Sequence, residues 1–557
     1  ILGWAGLLRV DGQLYNWLGR SAGLSSPTPA ILLYDSYQIT PTRTIFTLKA
    51  GNMAINVTFL SPIEPHDLVL QSFPFTYVFF EASSTDGKPH SVQVYQDITG
   101  EWVAYDINND LRWGTITNGS VIYHQAQLYD NSMHMDETNN MTEDGMIYHV
   151  TNPGSGVASQ AGVDTVTRSA FLNDGTLSNN LTSVTDYRPI NDRWPVFAFS
   201  RSLGNITSTS PPVIWGISLV RNRDIMYTTT AGNQTRQPYF FTKYSDMTTA
   251  FSDLMDDASS ALKRVIELDD QIISDASKIS SNYTDLVALA LRQVMAGMEI
   301  TVGTDTNGQV NDSDILIFMK DIGNSRRTNP VDVMYAAFPA ILYINASWAG
   351  YLLKPLLQFQ SSELYNKDFA AEDLGNVFPM AVGNSTPSPS TGMESTGDML
   401  IMVWAHATFS GDGSLLSPYV RSRFTFHRIF ISCIASSHMF APLFFGLYTS
   451  ADGSSNANMT NLAIKGILAI RSMAEISQAV GESDDYNYYF NLASSFVSQW
   501  HSLANSSNHL TSTYGAPNSW GLMYNLYPDK LLGFNLVDDT VGMGFKLCSL
   551  DHSDNYV

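Results

Sequence analysis

Two periodicities divide the chain. From the start to about residue 240, short apolar runs recur between Gly, Asn and Pro: RTIFTLKA, AINVTFL, TYVFFEAS, HSVQVYQDI, VIYHQAQLY, RWPVFAFSRSL and PPVIWGISLV. Several alternate apolar with polar positions, the period of a half-buried strand. Many such strands separated by turn residues predict a β-sandwich. Near Tyr244 the period changes. Phe251, Leu254, Ala258, Ala261, Val265 and Leu268 recur every three or four residues and predict one long amphipathic helix, with Asp246 near its start where an acid suits the helix dipole. Further helices are predicted over 285–298, 331–344, 351–360, 398–409, 462–480 and 486–503. Loops of roughly ten residues or more separate some of them, which suits an α/α toroid, whose site is built from such loops, better than a plain bundle. The expected fold class is multidomain β plus α, a sandwich over 1–243 and a helical domain over 244–557. No internal repeat points to a solenoid.

Composition narrows the function classes. Lys plus Arg total 30 against 52 Asp plus Glu, a net charge of −22. Nucleic acid and anionic membrane surfaces need basic patches, so neither is expected as a partner. Twelve Asn-X-Ser/Thr sequons run from Asn56 to Asn505. Acceptors spread over the whole chain predict a secreted or cell-wall protein carrying N-glycans. Cys433 and Cys548 allow one disulfide but no framework, and no Cys/His cluster predicts a metal or cofactor site. The nearest approach to a run of 18 apolar residues, 429–447, is broken by serines, His438 and Pro442 and is read as buried or aberrant rather than membrane-spanning. The chain opens at Ile1, which reads as a mature form or a fragment.

The candidate chemistry lies in carboxylates, a few arginines and aromatic residues. Glu372, Asp373, Glu394 and Asp398 flank a long loop, and carboxyls in unlike environments can supply an acid and a base. Gly375 permits a tight turn that would hold Asp373. For Asp398 the alternative is capping or packing at a helix start. In KDIGNSRRTNPVDVMYAAFP, Arg326 and Arg327 could grip a substrate carboxylate, or form structural ion pairs. Asp332 follows a helix start set by Pro330 and is either a cap or a site residue. Trp348 is the aromatic candidate for a substrate wall, with core packing as its alternative.

The segments FMKDIGNSRRTNPVDVMYAAFPAILYINASWAGYLLKPLLQFQ, AAEDLGNVFP, GDMLIMVWAHATFSGDGSLLS, NLAIKGILAIRSMAEISQAVG and SWGLMYNLYPDKLLG resemble the fungal secreted glutaminase A family, as do GWAGLLRVDGQLYNWLG and RPINDRWPVFAFSRSLG. The resemblance covers most of the chain, in the family's order. It implies a β-sandwich followed by an (α/α)6 toroid similar to that of six-hairpin glycosidases. It also implies hydrolysis of L-glutamine to L-glutamate and ammonia. Glu372 stands where family members carry His, and Asp398 where they carry Asn. The segments 421–450 and 538–557 depart from the family's pattern, as altered exons would, and the toroid is expected to be incomplete at its C-terminal end. Catalytic roles are assigned to Asp373, Glu394 and Asp332, and substrate contacts to Arg326, Arg327, Trp348, Glu372 and Asp398. Two other classes remain open: a glycoside hydrolase acting through a carboxylate pair, and a catalytically defective product of an altered gene.

Overall fold

The computed structural model describes residues 3–19, 27–130, 135, 137–139, 141–179, 187–305, 307–323, 325–420, 448–506 and 509–538. Cys433, Cys548 and nearly all of the two unusual segments lie outside them. The chain forms two compact units. The first comprises 1–225, 235–295 and 300–314, and the second 226–234, 296–299 and 315–557. The expected boundary at 243/244 is thus not the division observed, because the helix Met247–Ser277 belongs to the first unit.

The alternating runs of the first unit become two sheets. One has six strands, in the order Val157–Val163, Pro195–Ile206, His90–Thr99, Trp4–Val10, Gln13–Leu18 and Ala30–Ile31. The other has nine, with Phe75–Ser84 between Val213–Val220 and Met53–Leu60. Phe75–Ser84 shows why the sequence makes layers. Its even positions Val78, Phe80 and Ala82 pack with Leu8, Val10 and Trp17 of the six-stranded sheet and form the sandwich core. Its odd positions Phe75, Tyr77 and Phe79 pack with Phe251, Leu254 and Ala258 of the long helix. Successive strand side chains point to opposite faces, so one strand serves two apolar layers. The helix therefore covers the back of the sandwich.

Asp269 anchors that helix. Its carboxylate is fully buried and accepts from the Thr40 hydroxyl (2.6 Å), the Thr42 N–H (3.0 Å), the Thr42 hydroxyl (2.8 Å) and Arg43 Nε (2.9 Å). Asp269→Ala strands those donors and leaves Arg43 without its partner. The expected loss is about 3–5 kcal/mol, read as a lowered denaturant midpoint of the sheet unit. A midpoint within experimental error of wild type would show that the anchor contributes nothing.

The second unit carries helical hairpins. Its helices include Val331–Gln360, Gly392–Ser410, Thr460–Ala479 and Ser483–Ala504. Val331–Gln360 is long and apolar enough to cross a membrane. Asn345, at φ −160° and ψ 106°, breaks it into two halves, each shorter than the roughly 20 residues a crossing needs. Asn345 Oδ1 accepts from the Ser347 N–H and starts the second half. The expected helices 331–344 and 351–360 are these two halves. The strands Met298–Thr304 and Val310–Met319 were not expected from periodicity.

Candidate functional site

A short backbone lattice holds the first half of the site. Arg326 and Asn329 sit at positive φ (56° and 47°), and Pro330 then starts the helix at Val331. This segment pairs with the loop at 372–378. Thr328 N–H donates to Gly375 O, Leu374 N–H to Thr328 O, and Val331 N–H to Glu372 O, at 2.8–2.9 Å. The buried Asn329 amide locks the lattice from below, donating to Ile317 O and Leu352 O and accepting from the Met319 N–H. Gly375 takes φ +99°, which only glycine adopts without strain. Its N–H donates to Asp373 Oδ1 at 2.8 Å, so the carboxylate closes the turn it belongs to.

Arg327 is the cation of this group. Its fork is bidentate on Asp332, both contacts at 3.0 Å. Asp321 lies 3.5 Å away and Glu372 3.9 Å away. Asp332, in the first turn of its helix, is therefore committed to Arg327 rather than to a free backbone N–H. The same fork is not open to a substrate carboxylate, as the sequence had suggested for Arg327. Arg326 turns its Nη2 to Phe378 O at 2.8 Å. Trp348 also departs from its expected role. It is buried beyond the break at Asn345, as its alternative of core packing requires.

The second half of the site is built on Gly392–Ser410. The helix begins earlier than its apolar period predicts, so Glu394 lies in the first turn and Asp398 one turn later on the same face. Asp398 is thus no cap. Both carboxylates are buried, and the Lys465 ammonium from Thr460–Ala479 enters between them. Lys465 hydrogen-bonds Glu394 Oε1 and lies 2.6 Å from Asp398 Oδ1 as an ion pair off the line of a hydrogen bond. Gly397 makes room for the lysine stem, since a Cβ there would stand 2.9 Å from Lys465 Cγ. Tyr335, one turn after Asp332, places its ring 4.1 Å from the ammonium, a cation–π contact. Tyr527 packs on that ring at 5.2 Å.

Two carboxylate oxygens here are buried and accept no hydrogen bond of ordinary geometry: Glu394 Oε2 and Asp398 Oδ2. Such atoms are rare and mark a place where water or a ligand belongs. Burial pushes the Asp398 carboxyl well above the usual carboxylate range; Lys465 opposes the shift and the Glu394 charge adds to it. Burial also raises Glu394, with Lys465 opposing. Burial works against the Lys465 charge, yet Asp398 and Glu394 outweigh it and hold its pKa above the ordinary lysine value. The Asp332 charge adds a small upward contribution to Glu372, Asp373, Glu394 and Asp398, in each case well behind burial.

The raised Asp398 gives a pH dependence. A carboxyl that binds its proton more tightly when folded stabilises the protein below its unfolded pKa. That contribution is lost as pH rises through the folded pKa. Asp398→Asn removes the titration and keeps the shape. The variant is expected to be more stable than wild type by about 1 kcal/mol or more at pH 8, with the gap closing toward pH 4.5, in urea titrations of both proteins. A gap that widens on acidification would overturn the assignment.

Sequence reasoning placed Glu394 and Asp398 together but missed Lys465. The signal was present in NLAIKGILAI, where one cation interrupts an apolar run.

Comparison with known proteins agrees with this architecture. A family described as "Glutaminase A six helical-hairpin domain" matches residues 280–544, and a "Domain of unknown function (DUF5127)" matches 42–275. Glutaminase A of Aspergillus oryzae is 34% identical over 552 residues, covering 97% of this chain and 76% of the relative. The chain belongs to the glutaminase A family. A second family relative, named "Probable glutaminase", from Arthroderma benhamiae, is 26% identical, covering 94% of this chain and 68% of its own length. Among solved structures, a bacterial glucoamylase complexed with acarbose aligns with a TM-score of 0.43 at 10% identity, over 92% of this chain. The chain spans 64% of that structure, and a likeness of this size does not bear on function. The glutaminase A family fold, a sheet-rich domain followed by helical hairpins, is the one described above.

Proposed function

We propose that this family member is a glutaminase-type hydrolase that converts L-glutamine to L-glutamate and ammonia. The observation that carries the reading is the 34% identity to a protein named glutaminase A along 97% of the chain. The geometry supports it. Glu394 hydrogen-bonds Lys465 through one oxygen and leaves Oε2 without a hydrogen bond of ordinary geometry. Burial raises the pKa of the Tyr524 hydroxyl and the Glu394 charge raises it further.

In this mechanism Glu394 Oε2 takes a proton from water as the water oxygen attacks the side-chain amide carbon. The C–N bond then breaks, and the proton passes from Glu394 to the departing nitrogen. The Tyr524 hydroxyl donates to the carbonyl oxygen as negative charge gathers there. Lys465 and Asp398 do not touch the substrate; they fix the position of Glu394. Asp373, assigned a catalytic role from sequence, serves the turn at Gly375. Release of ammonia from L-glutamine by the purified protein tests the reading. No ammonia, with sugar released from a glycoside panel instead, would replace it with the glycosidase reading.

We further propose that the protein is extracellular and N-glycosylated. Of the ten sequon asparagines among the described residues, none is buried and seven are exposed. A fall in apparent mass on endoglycosidase treatment of the secreted protein is the expected result.

A further inference from the structure

Two histidines sit in the core of the sandwich and take no part in the site described above. His124 lies on Val121–Leu128 and His149 on Met146–Thr151, neighbouring strands of the nine-stranded sheet in which the two residues stand directly opposite one another. Both are buried. Each reaches a main-chain carbonyl of Pro195–Ile206 in the six-stranded sheet: His124 Nε2 lies 2.9 Å from Ala198 O, and His149 Nδ1 lies 3.0 Å from Phe197 O. A carbonyl oxygen can only accept, so these contacts fix the tautomers of the neutral rings. His124 carries its proton on Nε2, and its Nδ1 accepts from the Thr115 hydroxyl at 2.7 Å. His149 carries its proton on Nδ1. Its Nε2 stands 3.0 Å from Gln96 Oε1, while Gln96 Nε2 makes no hydrogen bond. Turning that amide over lets its nitrogen donate to the neutral ring. The neutral pair thus ties one sheet to the other through two consecutive carbonyls.

The surroundings do not offset a charge here. The two ring centroids are 6.5 Å apart, and the Phe199 ring packs against both, at 4.5 Å and 4.9 Å. Tyr123 and Tyr148 point to the other face of their sheet, toward Phe251 of the long helix. Asp110 and Arg112 alternate with the core residues Leu111 and Trp113 and so face away as well. Val213–Val220 carries no titratable side chain. On the opposing sheet, Tyr95 and Asp97 turn outward, where Arg168 binds both oxygens of Asp97. Arg201, two residues beyond Phe199, is a cation rather than a counter-ion. His90 shows the contrary arrangement in the same sheet: Asp11 and Asp86 hold its two nitrogens, at 2.6 Å and 3.0 Å, and favour its charge.

We infer that His124 and His149 form an acid-released latch between the two sheets: neutral, they tie the sandwich shut, and acid opens it because the closed sandwich has no place for their charges. Burial holds His124 down to about 3, with the His149 charge lowering it further, and holds His149 down to about 4; the hydrogen bonds to Ala198 O and Phe197 O oppose the shifts. A ring lowered by folding stabilises the protein above its unfolded value of 6.5, and that contribution is lost as pH falls toward the folded value. Asp398 of the helical unit responds in the opposite direction.

The test is hydrogen exchange of the full chain at pH 7.5 and pH 4.5, read by mass spectrometry and corrected for the intrinsic rate. In peptides covering 121–128, 146–151 and 195–201, the opening population is expected to rise on the order of 100-fold for each ring. Peptides from Gly392–Ser410 should not follow. The double variant His124→Gln, His149→Asn keeps a donor for each carbonyl and cannot titrate, so most of that rise should vanish. An equal rise in the double variant, or no rise in the wild type, would overturn the inference. Nitrogen NMR of the histidine-labelled wild type decides the matter even where the double variant does not fold. Two rings should stay neutral at pH 5, one protonated on Nε2 and one on Nδ1. Rings that all take up a second proton at pH 5 in the folded protein would also overturn it.

Discussion

Glu394→Gln is expected to lower ammonia release from L-glutamine by about 10²- to 10⁴-fold in kcat, the range a positioned general base contributes. The amide keeps the shape and can still accept from Lys465, but it cannot take a proton from water. The variant should therefore fold as wild type does and lose chemistry rather than stability. Its loss of one buried negative charge leaves Lys465 with Asp398 as its only carboxylate partner in the cluster, so the melting temperature should not fall. Asp373→Asn is the informative control. Its carbonyl oxygen can still accept the Gly375 N–H, so kcat should change far less than in Glu394→Gln. If the two variants lose activity equally, Glu394 is not distinguished as the base. If Glu394→Gln retains full activity, the mechanism is wrong.

Lys465→Met is expected to destabilise the helical unit by about 3–5 kcal/mol, because it removes the one cation between two buried carboxylates. The methionine fills most of the stem's volume beside Gly397, so the effect isolates charge from packing. The melting temperature of this unit should fall on the order of 10 °C. The triple variant Lys465→Met, Glu394→Gln, Asp398→Asn separates the electrostatic account from a packing one. With no charge left to compensate, it should recover at least half of the loss. A triple variant as unstable as Lys465→Met alone would mean that the lysine acts through its methylenes.

Much of the scaffold was legible along the chain. Strand alternation in TYVFFEAS is a local property, and so is the three-to-four spacing from Phe251 to Leu268. Both survive in the structure because burial of an apolar face acts on each element separately. The start of Gly392–Ser410 was less legible. Its first two turns, GMESTGD, are largely polar in sequence yet buried in the fold, so their periodicity could not announce a helix. The unit to which Met247–Ser277 belongs was misplaced for a related reason. An amphipathic stripe says that a helix is covered, not by what, and here the cover is the sheet face of Phe75, Tyr77 and Phe79.

The candidate site divides along the same line. The sequence by itself determined which acids flank the loop and that Gly375 permits the turn at Asp373; that Glu394 and Asp398 share a helical face came from the structure. The first two depend on spacing within a few residues. Only the tertiary structure decided that Arg327 spends its fork on Asp332, that Glu372 stands 3.9 Å from that cation, and that Lys465 reaches Glu394 from 71 residues away. Trp348 became core and Asp373 a turn former by the same route. The reason is physical: periodicity reports the geometry of one element, whereas charge compensation depends on distance and burial between elements, which the linear order of residues does not carry.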